Sequence, residues 1–344
     1  MASLQSIQPL PFGSKKIGPG LPTVIIAEIG INHEGDPDAC LRLVDAAANA
    51  GADAVKFQTV IAAENYAPGT ESYDLFARAE LSQEQTRRAF DHARASGLEC
   101  FSTCSDMPSF AFLEGLAPAS WKISSGLLTH LPLIRQFSKT GRTLLLSTGM
   151  TGMAEAAKAV AAARDAGARH IGIFQCTSLY PAPFDTLNLR AMETLSRAFG
   201  IPVGLSDHSL GALAPAVAVA CGAHMIEKHI SLDPSRPFFD HRVSLDPSGF
   251  KQMVDNVRAA EQMLGSAEKE VSSIVAESAR KFLRCLAARQ DLAEGAVLAA
   301  EDIAVMRLPA GHRGLPPDAF GSVLGRRLRR RVAAHHAIEE ANLS

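Results

Sequence analysis

Two histidines stand where the sequence predicts strands to end, and imidazoles in such places could share a metal ion. His208 follows the strand pattern of Pro202–Leu205, and His229 closes the next strand pattern along the chain. Neighbouring parallel strands lie about 4.8 Å apart, so both rings could reach one small cation. Imidazole suits Mn, Fe, Co or Zn, and two protein ligands leave coordination positions open for water and substrate. The alternative is two strand-end histidines that contact solvent.

Polar side chains also end the other predicted strands. Because side chains two positions apart on a strand share a face, Lys56 and Gln58 point the same way, as do Glu227 and His229. A single polar strand end is typical of a turn, but eight in register indicate the floor of one site. The further polar residues at these ends are Glu28, Ser102, Thr103, Lys122, Ser124, Ser125, Ser147, Thr148, Thr177, Ser178, Tyr180, Ser206 and Asp207.

The two lysines of this floor indicate an anionic ligand. A lysine that points into a closed site is costly unless an anion meets it. Lys56 and Lys122, with the hydroxyls of Thr103, Ser125, Ser147 and Ser206, are suited to phosphate or carboxylate oxygens. Glu28 could orient a substrate hydroxyl or move a proton. The structural alternative is a pair of buried salt bridges, Lys56–Glu28 and Lys122–Glu227.

The elements that must position these residues alternate between strand and helix from Thr23 to about Gly265. Predicted strands are Thr23–Glu28, Ala54–Gln58, Leu98–Thr103, Ser120–Ser124, Thr143–Ser147, His170–Gln175, Pro202–Leu205 and His224–His229. Predicted helices include Asp38–Ala50, Ser82–Ser96, Ala154–Ala166, Thr186–Ala198 and Leu210–Cys221. Eight such units in roughly 245 residues match a (β/α)₈ TIM barrel, whose sites lie at the C-terminal ends of its strands. An open doubly wound sheet is the alternative, but no GxGxxG follows the first strand.

Composition narrows the classes of partner. The chain has 344 residues, 47% hydrophobic and 20% charged, with a formal net charge of −2. That charge argues against nucleic acid or a membrane surface as the main partner. Six cysteines without a CxxC pair are typical of buried thiols in a reduced cytoplasm. The sequence shows neither a signal-peptide pattern nor an apolar run long enough to span a bilayer.

The pattern changes after Leu264. We interpret residues 1–265 as the barrel domain, 266–281 as a polar, helix-compatible linker, and 282–344 as a small β-rich domain. In that last domain, Phe282–Ala288 and Ile303–Leu308 alternate as short strands. The basic run Arg326–Arg331 could suggest nucleic acid, but its alternation favours a solvated face.

The strand ends and the loops after them contain a series of recognisable motifs. In the barrel region they are IIAEIGINHEGD (25–36), GADAVKFQT (51–59), FSTC (101–104), WKISSG (121–126), LLSTGM (145–150), CTSLYPAP (176–183), GLSDHSLG (204–211) and IEKHISLD (226–233). The C-terminal domain contains SARKFLRCLAARQDLAEGAVL and MRLPAGHRGLPP. In their order and spacing, from about residue 23 to 344, these motifs resemble the sialic acid synthase family, which joins a barrel to an antifreeze-like (SAF) domain.

The resemblance implies a carbon–carbon bond-forming transferase that condenses phosphoenolpyruvate with an open-chain N-acylated hexosamine, giving phosphate and a nine-carbon 2-keto acid. It places a divalent metal, first Mn²⁺ and otherwise Mg²⁺ or Co²⁺, on His208 and His229. The implied phosphoenolpyruvate contacts are Lys56, Thr103, Lys122, Ser125, Ser147 and Ser206, with Ser178 and Tyr180 on the sugar side.

The resemblance also implies further roles and an assembly. Glu28 and Asp240, which precedes His241, would stabilise a cationic centre or handle protons, and Gln58 would lie near metal-bound water. Arg307 would come from the partner subunit of a domain-swapped homodimer, with Arg313 as the second candidate.

Departures from the family pattern concern the sugar. Leu127 replaces a common glutamate, Ser178 replaces an asparagine, Phe238-Phe239 replaces Gly-Pro, and the stretch between Gln58 and Leu81 is short. These changes predict a sugar pocket that is less polar or differently shaped, and a deoxy-sugar acceptor, as in legionaminic, pseudaminic or related nonulosonic acid synthesis. The rival hypotheses are a metal-dependent aldolase, a carbohydrate- or ice-binding protein, and an inactive homologue.

Overall fold

The computed structural model describes residues 7–237, 240–309 and 313–344 of the chain. The chain divides into two compact units, Met1–Gly265 and Ser266–Ser344. None of the helices in the described ranges combines the length and the apolarity needed to cross a bilayer.

The first unit begins with a hairpin that the sequence patterns did not predict. Its strands, β1 (Leu10–Phe12) and β2 (Lys15–Ile17), pair antiparallel around Gly13. Gly13 takes a left-handed φ of 57°, a conformation that glycine adopts without steric cost. Each strand is only three residues long, too short for the alternation that identifies a strand in sequence.

Eight parallel strands of the described residues close into a barrel. Each strand pairs with the next along the chain, and the last pairs with the first. The predicted (β/α)₈ barrel is therefore confirmed, and every predicted barrel strand overlaps an observed one. The strands are β3 (Val24–Gly30), β4 (Ala54–Gln58), β5 (Glu99–Thr103), β6 (Trp121–Ile123), β7 (Leu144–Ser147), β8 (Ile171–Cys176), β9 (Val203–Asp207) and β10 (Met225–His229).

Helices separate the strands, and two of them begin later than predicted. Asn188 and Gly211 lie at positive φ, which a right-handed helix cannot accommodate, so these helices start only at Ala191 and Leu213. The helices of this unit are α1 (Pro37–Ala50), α2 (Ala62–Asn65), α3 (Glu71–Ala79), α4 (Gln83–Ala95), α5 (Met107–Gly115), α6 (Leu131–Ser138), α7 (Met153–Asp165), α8 (Ala191–Phe199), α9 (Leu213–Ala220) and α10 (Pro247–Leu264).

The side chains inside the barrel form two layers of different chemistry. The lower layer is apolar and consists of Ile26, Ala54, Phe101, Leu145, Phe174 and Met225, against which the hairpin buries Leu10, Phe12 and Ile17. The upper layer lies two residues further along the strands and is polar. It consists of Glu28, Lys56, Thr103, Lys122, Ser147, Cys176, Ser206 and Glu227, all at most 7% exposed.

The second unit is small and contains short strands. Helix α11 (Ser273–Phe282) is followed by β11 (Cys285–Ala288) and β12 (Ile303–Met306), which pair antiparallel, and then by α12 (Phe320–Val323). The predicted strand Phe282–Ala288 is wrong at its start, because Ser272 caps a helix that continues to Phe282. The core of this unit is aliphatic and includes Leu286, Leu292, Leu298, Ile303, Val323, Leu328, Val332, Ile338 and Leu343.

Acidic side chains of the same unit pair with the basic run. Arg326 lies 2.8 Å from Glu340, and Arg331 lies 2.8 Å from Asp291. Arginines that already have carboxylate partners at the surface fit the predicted solvated face better than a phosphate-binding one.

Candidate active site

A cavity of about 470 Å³ opens at the C-terminal end of the barrel. All eight barrel strands contribute to its walls, as expected for an active site on this fold. Its size is that of a small-molecule site. Most of the site residues singled out from the sequence line it, namely Glu28, Lys56, Gln58, Thr103, Lys122, Ser125, Ser147, Ser178, Tyr180, Ser206, His208 and His229.

Lysines and carboxylates pair at the bottom of the cavity. Lys56 Nζ contacts the Glu28 carboxylate, donates to Thr103 Oγ1 at 3.0 Å and lies 3.8 Å from Glu227 Oε1. Lys122 Nζ donates to both oxygens of Glu227, at 2.8 and 2.7 Å. Both buried salt bridges that the sequence analysis named as the alternative to an anion site are therefore formed. The lysines can also bind an anionic ligand if the two carboxylates do not neutralise their charge completely.

The two carboxylates differ in ionisation. Burial alone would raise the pKa of Glu227, but Lys122 and Lys56 outweigh it and hold that pKa at about 2. Burial prevails at Glu28 and raises its pKa to about 7, although Lys56 opposes the shift. At neutral pH the lysines therefore face one ionised carboxylate and one that is only partly ionised. A negatively charged ligand can neutralise the positive charge of the lysines that the two carboxylates leave uncompensated.

Two further residues belong to the site: Glu227, which the sequence analysis named as a polar strand end without giving it a catalytic or binding role, and Cys176, which it did not name. Glu227 accepts a hydrogen bond from Ser206 Oγ at 3.0 Å, besides those from Lys122. The Cys176 sulfur lies 3.8 Å from His208 Nδ1. Strand alternation could have found both, because each lies two residues after an inward-facing residue of the lower layer.

The two histidines come together as predicted from their strand ends. Their ring centroids lie 5.4 Å apart. His208 Nδ1 lies 3.0 Å from the carbonyl oxygen of Thr177, which makes Nδ1 the donor and leaves Nε2 as an acceptor, 3.0 Å from the Tyr180 hydroxyl. His229 Nδ1 is buried and has no hydrogen-bond partner. Burial also holds the pKa of His229 well below its usual value, so its ring is neutral.

This donor set fits a divalent cation with an open coordination sphere. A backbone carbonyl commonly fixes the tautomer of a metal-binding histidine, as Thr177 does for His208. Burial lowers the pKa of His208, but Cys176, Thr177 and Glu227 together outweigh burial and raise the pKa, so a cation would compete there with a proton. In the described residues, no group of three or more His, Cys, Asp or Glu side chains could hold a metal. Further ligands would have to be water or substrate.

Asp240 does not line the cavity wall, but its carboxylate approaches the same centre. A Cβ atom built on Gly30 would lie 3.2 Å from Asp240 Oδ2, 3.2 Å from Glu28 Oε1 and 3.5 Å from His229 Cε1. Burial raises the pKa of Asp240 to about 6. Its backbone is anchored by Ser244 Oγ, which donates to the Asp240 carbonyl at 2.5 Å. The carboxyl groups of Glu28 and Asp240 thus border the same small space as His229, next to Gly30.

Hydroxyl and amide groups complete the polar wall. Gln58 Nε2 donates to Glu28 Oε1 at 3.3 Å, and Ser125 Oγ accepts from the Gly149 amide at 3.0 Å. Ser147 Oγ is buried and has no hydrogen-bond partner. A buried hydroxyl without a partner is uncommon, since it loses its hydrogen bonds to water. Ser147 is therefore free to bind a ligand oxygen.

Some predicted features lie elsewhere. Arg307 belongs to the second unit, where its guanidinium stacks 4.7 Å above the Phe282 ring. Its contribution to a partner subunit's site stays a prediction. Leu127 and Ser178, two of the departures from the family pattern, line the cavity. Phe238-Phe239 lies outside the described residues.

Comparisons with known proteins find two family models and several relatives that match the chain. The NeuB family model matches residues 43–269, and the SAF domain model matches residues 284–344. The chain is 38% identical over 323 residues to an uncharacterised protein of Methanocaldococcus jannaschii, covering 94% of this chain and 95% of that protein. It is 36% identical over 340 residues to an N,N′-diacetyllegionaminic acid synthase of Legionella pneumophila, covering 94% and 95%.

A solved structure is similar as well. The N-acetylneuraminic acid synthetase of Leptospira borgpetersenii superposes with a TM-score of 0.75 at 30% identity. The match covers 79% of this chain and 95% of that one.

Proposed function

This chain belongs to the NeuB family and carries a C-terminal SAF domain, and on that premise we propose that it is a nonulosonic acid synthase. It would condense phosphoenolpyruvate with an N-acylated, open-chain hexose to give a nine-carbon 2-keto acid and phosphate. The observation that carries this proposal is the upper layer, where two lysines and a free Ser147 hydroxyl lie in one cavity with two histidines.

The anionic substrate fits the polar half of the cavity. Lys56 and Lys122 supply positive charge, and Thr103, Ser125 and Ser206 add hydroxyls around them. Charged donors hold carboxylate and phosphate oxygens more strongly than neutral ones do. The unpartnered Ser147 hydroxyl would donate one further hydrogen bond. Binding would fix the enol carbon beside the sugar aldehyde, which lowers the barrier by positioning.

His208 and His229 would hold a divalent cation, for which Mn²⁺ is the first proposal and Mg²⁺ or Co²⁺ the alternatives. When bound, it would supply Lewis-acid polarisation of the aldehyde oxygen. The proposal rests on the lone pair of the unpartnered His229 nitrogen and on the tautomer that Thr177 imposes on His208.

The carboxyl groups of Glu28 and Asp240 would stabilise a cationic carbon and accept a proton. As C3 of phosphoenolpyruvate attacks the aldehyde carbon, C2 becomes cationic. Ionised Glu28 or Asp240 would stabilise the positive charge at C2. Water then adds at C2 and loses a proton, which Glu28 can accept because its pKa is about 7. The aldehyde oxygen gains a proton, and the tetrahedral intermediate releases phosphate.

Phosphate release tests this proposal. Purified protein is incubated with phosphoenolpyruvate, Mn²⁺ and a panel of 2-acetamido and 2,4-diacetamido hexoses, beside a His208→Ala variant. We expect phosphate with at least one sugar, loss of release in the variant, and a nine-carbon keto acid in the mass spectrum. A product formed without phosphate release would instead identify an aldolase. No turnover by folded protein with any sugar or metal would identify an inactive homologue.

We also propose a domain-swapped homodimer in which Arg307 reaches the partner's site. The test mixes two inactive variants, Arg307→Ala and His229→Ala, after unfolding and refolding them together. If Arg307 acts across the dimer, half of the dimers are mixed and each regains one intact site, so activity returns to about a quarter of wild type. Absence of recovery in verified mixed dimers would place Arg307 in its own subunit's site, and an Arg307→Ala variant that is active before mixing would place Arg307 outside catalysis.

A further inference from the structure

A buried ion pair lies directly beside the two histidines of the candidate metal site. Lys228 Nζ is 2.8 Å from Asp207 Oδ2, and neither side chain is exposed to solvent. Asp207 precedes His208 in the chain, and Lys228 precedes His229. We propose that this ion pair positions the two histidines for a divalent cation by fixing the ends of their strands against each other. The inference rests on the cation that the proposed function places on these histidines, and it assigns two positioning residues outside the cavity.

The ion pair lies on the outer face of the barrel wall. Ser206 and Glu227 point into the barrel as members of the upper layer, so the residues that follow them, Asp207 and Lys228, point outward. Neither Asp207 nor Lys228 lines the cavity. The ion pair therefore acts on a ligand in the cavity only through the backbone that carries the histidines.

The two side chains join the strands at the point where the backbone pairing of β9 with β10 ends. Asp207 lies opposite Lys228 in the last residue pair of that ladder. His208 and His229 each follow one residue beyond this last pair. The bond between the Asp207 and Lys228 side chains thus links β9 to β10 immediately before the histidines.

The same two side chains also hold the residue after His208. Asp207 Oδ1 accepts a hydrogen bond from the Ser209 amide at 2.8 Å, and Lys228 Nζ donates to the Ser209 carbonyl oxygen. Ser209 is fully buried. His208 therefore lies between two residues that are both bonded to Lys228, and Lys228 is covalently joined to His229. This arrangement fixes the backbone of one histidine relative to the other.

The chemistry of the outer face supports a positioning role. Two residues before each partner, on the same face of the wall, Leu205 and Ile226 belong to the hydrophobic core. Burying an ion pair costs free energy, and apolar side chains of similar volume often replace such a pair without loss of stability. A charged pair in place of hydrocarbon, at the last position before the histidines, is therefore better explained by the geometry that it imposes than by stability.

The test measures Mn²⁺ binding to the full-length protein in the absence of substrates, from the electron paramagnetic resonance signal of free Mn²⁺. In the double variant Asp207→Leu/Lys228→Met, we expect the Kd for Mn²⁺ to rise about tenfold, within the range found when an outer partner of a metal ligand is lost. The denaturation midpoint should stay close to that of wild type. In the phosphate-release assay, saturating Mn²⁺ should restore most of the activity, with little change in KM for phosphoenolpyruvate.

Two further variants separate positioning from a general effect on the fold. Lys228→Arg keeps a cation that can donate to both Asp207 and Ser209, so it should retain the Mn²⁺ affinity of wild type. Arg258→Met is the matched control, because Arg258 pairs at 2.9 Å with Asp53, which directly precedes β4 at the opposite end of the barrel. It should leave the Kd for Mn²⁺ unchanged even if it lowers stability.

If the apolar double variant does not fold, Asp207→Asn/Lys228→Gln takes its place. It keeps hydrogen-bonding groups but shortens the side chain that must reach both Asp207 and Ser209, so Mn²⁺ should again bind more weakly. Wild-type affinity in either folded double variant would overturn the inference, as would an equal loss in Arg258→Met.

The binding measurement also distinguishes this inference from the proposed function. If no sugar releases phosphate but Mn²⁺ binds about tenfold more weakly to the double variant than to wild type, the synthase proposal fails and the positioning role stands. If phosphate is released but both proteins bind Mn²⁺ equally, the positioning role is overturned and the synthase stands. A wild-type protein that binds none of Mn²⁺, Mg²⁺ and Co²⁺ would also overturn the positioning role.

Discussion

Inside the barrel, the lower and upper layers differ in chemistry although they lie on the same strands. The lower layer is a hydrocarbon core closed by the N-terminal hairpin, and Phe101 in it packs edge-on against Phe12 at 5.5 Å. The upper layer buries Lys56, Lys122, Glu28 and Glu227, each at most 5% exposed. Burying hydrocarbon stabilises the fold, whereas burying charges costs free energy even when they pair. The lower layer therefore contributes to stability, and the free-energy cost of the upper layer supports the ligand-binding role that we propose for it.

The largest predicted effect comes from removing one charged pair of the upper layer as a unit. In the double variant Lys122→Met/Glu227→Met, we expect phosphate release to fall about 10²–10³-fold, because a positioned donor that stabilises reacting oxygens contributes about that much and Lys122 is the donor of this pair. The free energy of unfolding should stay within about 2 kcal/mol of wild type, since apolar residues often replace a buried ion pair without loss. Chemical denaturation and the phosphate assay measure the two effects. A double variant with near-normal activity would contradict the ligand role of this layer.

In the lower layer, a substitution should reduce stability more than it reduces substrate binding. Phe101→Ala leaves a cavity in a fully buried cluster, and we expect a loss of about 3–5 kcal/mol in the free energy of unfolding. The protein that remains folded should keep its KM for phosphoenolpyruvate within about threefold. Denaturant titration gives the stability, and Phe112→Ala on the outer helix α5 is the control for loss of a ring. A large rise in KM, with stability retained, would show that the two layers do not divide their roles.

The pH response should come from the upper layer, because Glu28 titrates there at about 7. Its ionised form accepts the proton, so phosphate release should fall about tenfold per pH unit below 7. Stability should change in the opposite direction. The pKa of Glu28 is raised from 4.5 to about 7 on folding, so this group's contribution to stability is lost as pH rises from 4.5 through 7.

The variant Glu28→Gln separates both effects from other titrations. It should be much less active and lack the activity slope near pH 7, while its stability relative to wild type should increase between pH 4.5 and 7. Activity profiles and denaturation at several pH values measure this. An unchanged slope in Glu28→Gln would assign the titration to another group, such as Asp240.

The smallest predicted effect comes from removing a single buried hydroxyl. Two buried hydroxyls without hydrogen-bond partners, one in each part of the barrel, can be compared. Ser147 lies in the upper layer, and Ser120 precedes β6 near its lower end. Ser147→Ala should raise KM for phosphoenolpyruvate about tenfold, as expected for a lost hydrogen bond to a charged group. The matched variant Ser120→Ala should leave KM unchanged, and both should retain wild-type stability within about 1 kcal/mol. Equal KM values for both variants would show that the Ser147 hydroxyl does not bind phosphoenolpyruvate.

The strand residues of the site could be predicted because they depend on local rules. Alternation along β4 and β10 places Lys56 with Gln58 and Glu227 with His229, whatever the neighbouring strands are. The convergence of the two histidines followed once strands β9 and β10 were recognised as consecutive and parallel. The hairpin and the short helices α2 and α3 were missed, because short elements carry too little periodicity to be identified in the sequence.

The sequence by itself thus determined the barrel, the family and the polar strand ends. Only the tertiary structure decided which charges meet. Lys122 and Glu227 are 105 positions apart, and their pairing depends on how the barrel closes. The same closure sets the burial that raises the pKa of Glu28 and leaves the Ser147 hydroxyl without a partner. Electrostatic energies depend on distance and desolvation, and both are properties of the packed barrel rather than of any segment of its chain.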